Sequence, residues 1–219
     1  MKIRELLEAE FETKQTEKKF SSKFNNERDL ERSWSSKNPK SGRYSLAHSV
    51  GDPHTIVKRS HVGANAEREG YYAYATEIIK SGIAKNNPYF PRFYDVKTFK
   101  DSSGLIKYRF EMERLQEGYE VNDEIINSVT ENIFTEKSIA SFDRNYMGAN
   151  SLSRLSQLCS MYIFSSSHYG LEVKDEKFRE AAAFIKKIYD RGFSEDLHEG
   201  NIMFRLSPYP QLVITDPIQ

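Results

Sequence analysis

Late in the chain, two short apolar runs flank a turn and carry polar residues at their mouth. Asp196-Leu197-His198-Glu199-Gly200-Asn201 leads into Ile202 to Leu206, Ser207-Pro208-Tyr209-Pro210 reverses the chain, and Leu212 to Thr215 returns to Asp216. A hairpin of this kind brings its two outer ends together. Asn201 and Asp216 therefore become neighbours, with Asp196 one short loop away. Asp and Asn are also ordinary turn residues, and either half of the pattern alone reads as a helix-to-hairpin turn. The combination has a chemical reading as well. A carboxylate beside an acceptor hydroxyl can orient it and take its proton. An amide oxygen and a second carboxylate can hold Mg²⁺, which prefers hard oxygen ligands.

What precedes the hairpin is ordered in blocks. Residues 1–40 are polar and dense in Lys, Ser, Asn and Glu, with Leu6, Leu7 and Phe11 at helical spacing and a second candidate helix around Glu27 to Trp34. From Ser41 the texture changes. Gly42 to His48 and Thr55 to Lys58 read as strands joined at Gly51-Asp52-Pro53, and Ala64 to Ile83 as a helix. Phe93 to Phe99 and Leu105 to Leu115 read as strands around Lys100–Gly104, the second alternating through Tyr108, Phe110 and Met112. Asp123 to Phe134, Ser151 to Ser166 and Asp175 to Asp190 read as helices, the last capped by Asp175 and stopped by Gly192. A strand-rich part with one helix, then a helical part, then the hairpin, predicts an α+β protein.

Composition narrows the classes. The 219 residues hold 32 Lys+Arg and 32 Asp+Glu, so no net positive field draws the chain to nucleic acid. The 13 Tyr and 14 Phe argue against wholesale disorder. Cys159 is the only cysteine, which excludes an intrachain disulfide and reads as a small helical core residue. Acidic residues in MKIRELLEAEFE do not suit a signal peptide, and no run reaches the roughly 20 apolar residues of a membrane span. These features predict a cytoplasmic chain without a membrane partner. They leave its oligomeric state open.

The Asp-x-x-x-x-Asn spacing of Asp196 and Asn201 resembles the catalytic loop of protein kinases. Asp-Leu-His-x-Gly-Asn-Ile also looks like the loop of aminoglycoside and choline kinase-like phosphotransferases. Gly-Asn-Ile-Met-Phe paired with Ile-Thr-Asp-Pro is closer still to the early serine/threonine kinases of T7-like bacteriophages. The resemblance covers about Ser41 to Gln219. It implies a two-lobed protein-kinase-like fold, with a small antiparallel-sheet N-lobe and one helix over 41–115. A reduced, mostly helical C-lobe over 116–219 would end after the metal-binding hairpin, and 1–40 would be a charged segment, helical or partly mobile.

The same resemblance assigns roles. Asp196 is the base or acceptor-orienting group, and Asn201 and Asp216 are the metal ligands. Ser41-Gly42-Arg43-Tyr44-Ser45 resembles a reduced glycine-rich loop, with Gly42 and Ser45 over the phosphates. Thr55-Ile56-Val57-Lys58 looks like the strand ending in the phosphate-contacting lysine, Lys58. Glu77 or Glu69 is expected to hold that lysine. Phe110 to Leu115 resembles the strand running into a kinase hinge, so backbone groups from Glu113 to Leu115 would face an adenine ring. His198 falls where these families have a structural or phosphate-proximal residue. The Tyr71, Tyr72 and Tyr74 cluster reads as packing surface. The sequence departs from the kinase pattern in having Ser194-Glu195 before Asp196 instead of His-Arg, one glycine in the loop, and Pro217 after Asp216. With Gln219 the last residue, an activation segment and peptide platform are expected to be missing.

Three functions are therefore expected in competition. One is an ATP- and Mg²⁺-dependent phage-type serine/threonine protein kinase that modifies host bacterial proteins in the host cytoplasm. A second is a small-molecule kinase of aminoglycoside-phosphotransferase type, with an acidic acceptor pocket around Asp123 and Glu124. The third is a catalytically silent pseudokinase that inhibits a host factor by binding.

Overall fold

The strand Ile106–Glu113 sets the frame of the larger sheet: Tyr108, Phe110 and Met112 alternate with Lys107, Arg109 and Glu111, the period-two signature of a pleated strand. The computed structural model describes residues 40–41, 45–49, 54–60, 66–100, 104–146, 148–165 and 170–219, with side chains left out at 40–49 and at Phe99. The expected helices within 1–40, and the expected strand residues Gly42–Tyr44, lie outside the described residues. Residues Ser41–Gln219 form one unit. The first strands are β1 (Lys40–Ser41), β2 (Ser45–Ser49), β3 (Thr55–Ser60), β4 (Phe93–Lys100) and β5 (Ile106–Glu113), in the sheet order β1-β2-β3-β5-β4. β3 is central and antiparallel to both neighbours, with Lys58 opposite Ala47 on one side and Phe110 on the other.

Helix α1 (Gly70–Ser81) lies on the face of the sheet that carries Lys58. Tyr71 meets Phe110 edge-on at 5.8 Å, and Tyr72 stacks on Tyr108 at 5.6 Å. With Ala66 and Ala75 they form a separate aromatic core. The helix is shorter than the expected Ala64 to Ile83. Ala66–Arg68 is a single 3-10 turn, and Glu69 is extended, with φ −98° and ψ 123°. Gly82, at φ 67°, ends the helix by donating its amide to the Ile78 carbonyl at 3.0 Å; an L side chain is strained in this left-handed conformation.

The remaining helices are α2 (Asp123–Ile133), α3 (Glu136–Asn145), α4 (Ser151–Phe164) and α5 (Glu176–Tyr189). Each starts at a side-chain cap: Asn122, Thr135, Asn150 and Asp175 accept from the amides of Glu124, Ser138, Ser153 and Phe178. α3 was not expected from the sequence. A second antiparallel sheet has the order β6 (Gln116–Glu117), β7 (Ile202–Arg205), β8 (Gln211–Ile214). Ile126, Leu155, Phe178, Ile185, Phe204 and Ile214 pack with Tyr74 and Ile78 of α1 in the main core. Each such side chain contributes about 1.5–3 kcal/mol when taken out of water. The protein is thus an α+β chain with two small antiparallel sheets and, among the described residues, five α-helices.

Two links tie the hairpin β7–β8 to the segment before β4 and to the end of β5. The Ile214 amide donates to the Tyr89 carbonyl at 2.9 Å. The Arg205 guanidinium donates to Pro88 and Phe90 carbonyls at 3.0 and 3.3 Å and grips the Glu113 carboxylate, with Nε 3.0 Å from Oε2. Among the described residues, no helix is long and apolar enough to cross a membrane.

Candidate active site

The loop before β7 is shaped by its own polar groups. The Asp196 amide donates to Pro217 O at 2.9 Å, and Ser194 and Gln219 exchange amide-to-carbonyl bonds at 2.7 and 2.9 Å. The segments on either side of the hairpin are thereby clasped antiparallel, with Asp196 and Asp216 at the clasp. Inside the loop, Asn201 Nδ2 donates to Asp196 O at 2.6 Å and approaches Asp196 Oδ2 at 3.3 Å. Asn201 O accepts from both the amide and the hydroxyl of Thr215, each at 3.0 Å. Asn201 is thus fixed from two sides, and with its nitrogen committed, its amide oxygen is the atom left for a ligand. His198, 62% exposed, caps the turn by accepting from the Gly200 amide at 3.1 Å.

Lys58 reaches this loop from β3. Its Nζ lies 2.8 Å from Asp216 Oδ2 and 3.4 Å from the centre of the Tyr71 ring. The two charged side chains are only 14% and 20% exposed, so they attract each other more strongly than a surface pair. Partial burial raises the pKa of Asp196, and the negative charge of Asp216 raises it further; His198, Asn201 and Lys58 pull the other way. A carboxylate made more basic in this way is better suited to accept a proton.

Glu69 sits beside this pair, immediately before α1. It is 8% exposed. Tyr108 lies near it, yet neither carboxyl oxygen nor the Tyr108 hydroxyl completes a hydrogen bond among the described residues. Burial raises the Glu69 pKa, and Asp216 adds to the rise; Tyr108, Lys107 and Lys58 oppose it. Burial likewise pushes the Tyr71, Tyr74 and Tyr108 phenols far up. Tyr74 donates to Ile214 O at 2.7 Å, anchoring α1 to the strand that leads to Asp216.

Several expected positions fall elsewhere. Glu77 does not hold Lys58: its carboxylate is 3.4 Å from Arg191 Nη1, and that hydrogen bond lowers its pKa. The buried face of α1 is Tyr71, Tyr74, Ala75 and Ile78, which turns Glu77 outward. Glu69 is near Lys58 but unpaired with it. The Glu113 side chain is a buried partner of Arg205, its amide donates to Arg92 O at 2.9 Å, and the Arg114 amide donates to His54 O at 2.8 Å. Of the expected hinge positions, two amides are therefore already used, and the half-buried Leu115 follows them. Gly42 lies outside the described residues. Ser45 is placed only as the strand partner of Ser60. Asp123 and Glu124 are exposed in the first turn of α2. Cys159 is buried in the core, its thiol pKa raised by burial.

The residues that complete the constellation and that spacing did not reveal are Thr215, which holds Asn201, and the pair Tyr71 and Tyr108, which wall Lys58 and Glu69. The assembled groups offer a proton acceptor, two oxygen donors and a cation around one point. Among the described residues, no cluster of three or more His, Cys, Asp or Glu could hold a metal unaided. A site with one or two protein oxygens suits Mg²⁺ that arrives with phosphates, because that ion keeps several non-protein ligands. No family model matches the chain, and no curated protein matches it.

Proposed function

We propose that this chain is an ATP-dependent phosphotransferase of protein-kinase-like fold, acting on serine or threonine hydroxyls of host bacterial proteins. In this reading, 41–115 form the nucleotide lobe and 116–219 a reduced catalytic lobe. The observation that carries it is the meeting of Lys58 and Asp216 beside the Asp196–Asn201 pair, because a lysine from a central strand and three oxygen-bearing side chains on one loop-and-hairpin are the set phosphoryl transfer requires.

The donor chemistry fits the cofactors. Asn201 through its amide oxygen and Asp216 through its carboxylate would hold Mg²⁺, which when bound neutralises charge on the phosphates of ATP. Lys58, released from Asp216, would face the same phosphates, and Glu69 is the nearby carboxyl to receive it. Asp196 orients the acceptor hydroxyl and takes its proton, helped by the raised basicity that burial and Asp216 confer. An adenine ring at the end of β5 would meet Leu115, since the Glu113 and Arg114 amides are bonded within the protein.

Incubation of the purified chain with Mg²⁺, terminally labelled ATP and bacterial lysate tests the reading, with Asp196→Ala and Asp216→Asn alongside. Acid-stable label on protein Ser or Thr, seen with the parent chain alone, is expected. Label confined to small molecules would assign the site to a small-molecule kinase. Equal behaviour of all three proteins would remove the catalytic roles.

A further inference from the structure

Lys58 rests against a ring as well as a charge. Its ammonium lies 3.4 Å from the centre of the Tyr71 ring, over the face where the π electrons concentrate, and 2.8 Å from Asp216 Oδ2. A carboxylate is the partner expected there from the sequence, and neither candidate takes the place. Glu77 turns to Arg191, and the carboxyl oxygens of Glu69 complete no hydrogen bond among the described residues.

The ring is fixed where the lysine is not. Tyr71 is the second residue of α1 and only 4% exposed. It meets Phe110 at an interplanar angle of 84°, Tyr108 tilts against it with centroids 5.9 Å apart, and its hydroxyl donates to Met112 Sδ at 3.4 Å. Just before it, Gly70 lies so close to the backbone of Ile218 and Gln219 that no Cβ fits, which seats the start of α1 on the segment that follows Asp216. Lys58, by contrast, ends a flexible four-carbon stem. On the proposed function Asp216 turns to Mg²⁺ when the site loads, and an ammonium only 14% exposed loses its carboxylate. A π face attracts a cation without the directed hydrogen bond that a carboxylate forms. Lys58 can therefore exchange Asp216 for phosphate oxygens and stay over the ring.

We infer that Tyr71 is a positioning residue for Lys58, whose ammonium its ring keeps at the site while Asp216 is exchanged for phosphate. The inference rests on the proposed function for that exchange, and the contact itself is measured without it.

Nuclear magnetic resonance of the chain with carbon-13-dimethylated lysines reads the contact, because methyl groups over an aromatic face are shifted upfield. Lys58→Arg assigns the signal. A Lys58 signal upfield of the exposed lysines is expected in the parent, in Tyr71→Phe and in Asp216→Asn, and its loss in Tyr71→Leu. Should Tyr71→Leu fail to fold, a ring-fluorinated phenylalanine at position 71 keeps the shape and depletes the π face, and the signal is expected to move back toward the exposed lysines. A parent signal among the exposed lysines, or one that returns there in Asp216→Asn, would overturn the inference, since the carboxylate and not the ring would then be the holder. Phosphate transfer is the second readout. Tyr71→Leu is expected to lower it up to about 10²-fold, the cost of misplacing a group at the site by about 1 Å, and Tyr71→Phe to stay near the parent rate. Equal losses in the two variants would assign the effect to the hydroxyl bond with Met112 and remove the positioning role. An upfield Lys58 signal that persists in Asp216→Asn, in a chain that transfers no phosphate, would keep Tyr71 as the residue that holds Lys58 and overturn the phosphotransferase reading alone.

Discussion

Lys58 Nζ lies 2.8 Å from Asp216 Oδ2 across a sequence separation of 158 residues. The contact joins the central strand of the larger sheet to the residue after β8, and the Tyr71 ring covers the lysine from the side. It neutralises both groups, yet it occupies the two side chains that a Mg-nucleotide would need. On the proposed function, loading the site would mean trading one partner for others.

Removing the lysine charge should leave the fold and cripple transfer. Lys58→Met is expected to lower phosphate transfer about 10²–10³-fold, the usual loss when a single charge-stabilising group is removed from a site. Asp196→Ala should lower it about 10²–10⁴-fold through loss of the proton acceptor. Initial rates with labelled ATP check both, and far-ultraviolet circular dichroism verifies the fold.

Glu69 predicts a trade between stability and activity. Its folded pKa is raised, so the folded state binds more protons than the unfolded one between the two values. Its effect on stability is therefore most favourable below the ordinary carboxylate pKa and is lost as pH rises through the raised value. Glu69→Gln removes that decline. Near pH 8 the variant should be more stable by about 1 kcal/mol, the low end of what an unpartnered buried polar group costs. It should also transfer phosphate more slowly, because Lys58 loses the carboxyl waiting for it. Urea melts at pH 5 and pH 8 measure the first effect, and steady-state rates the second.

Gly70 admits no side chain. A Cβ there would lie 2.6 Å from Ile218 C and O and 2.7 Å from Gln219 N, all of them backbone atoms that cannot swing aside. Gly70→Ala should therefore pry α1 from the clasp that positions Asp196, although alanine favours helix elsewhere. A destabilisation of about 1–3 kcal/mol, typical of overpacking, is expected in thermal melts. Unchanged or increased stability would show that the clasp gives way freely.

Tyr74→Phe isolates one hydrogen bond. The buried phenol donates to Ile214 O at 2.7 Å, and its loss leaves that lone pair without this donor. The expected cost is about 1–3 kcal/mol. In a chain of this size each kcal/mol corresponds to about 2–4 °C in Tm, which scanning calorimetry resolves.

Much of this arrangement was legible in residue order. The alternation through Tyr108 and Phe110 marks β5, Asp175 marks the start of α5, and the polar mouth of the hairpin brings Asn201 beside Asp216. What escaped has physical reasons. α3 buries little beyond Ser138 and Phe142, so its apolar stripe is too thin to announce a helix. β6 is two residues long and exists only through pairing with β7. Glu77 has a suitable spacing from Lys58 but sits off the buried stripe of α1, and counting residues does not reveal which way a side chain faces. The Lys58–Asp216 pair is a through-space contact between distant segments, which local patterns do not encode.

The clasp between Ser194–Asp196 and Pro217–Gln219 closes the hairpin into a ring of backbone. Asp196, Asn201 and Asp216 all ride on that ring, whereas Lys58 arrives from a different sheet. Their mutual spacing is therefore set within a single cassette, and Lys58 supplies the charge that counters it from outside. Extra residues at the far tip, around Pro208 to Pro210, would lengthen the ring, and substitutions there would leave its length as it is, so variation among related chains should collect there.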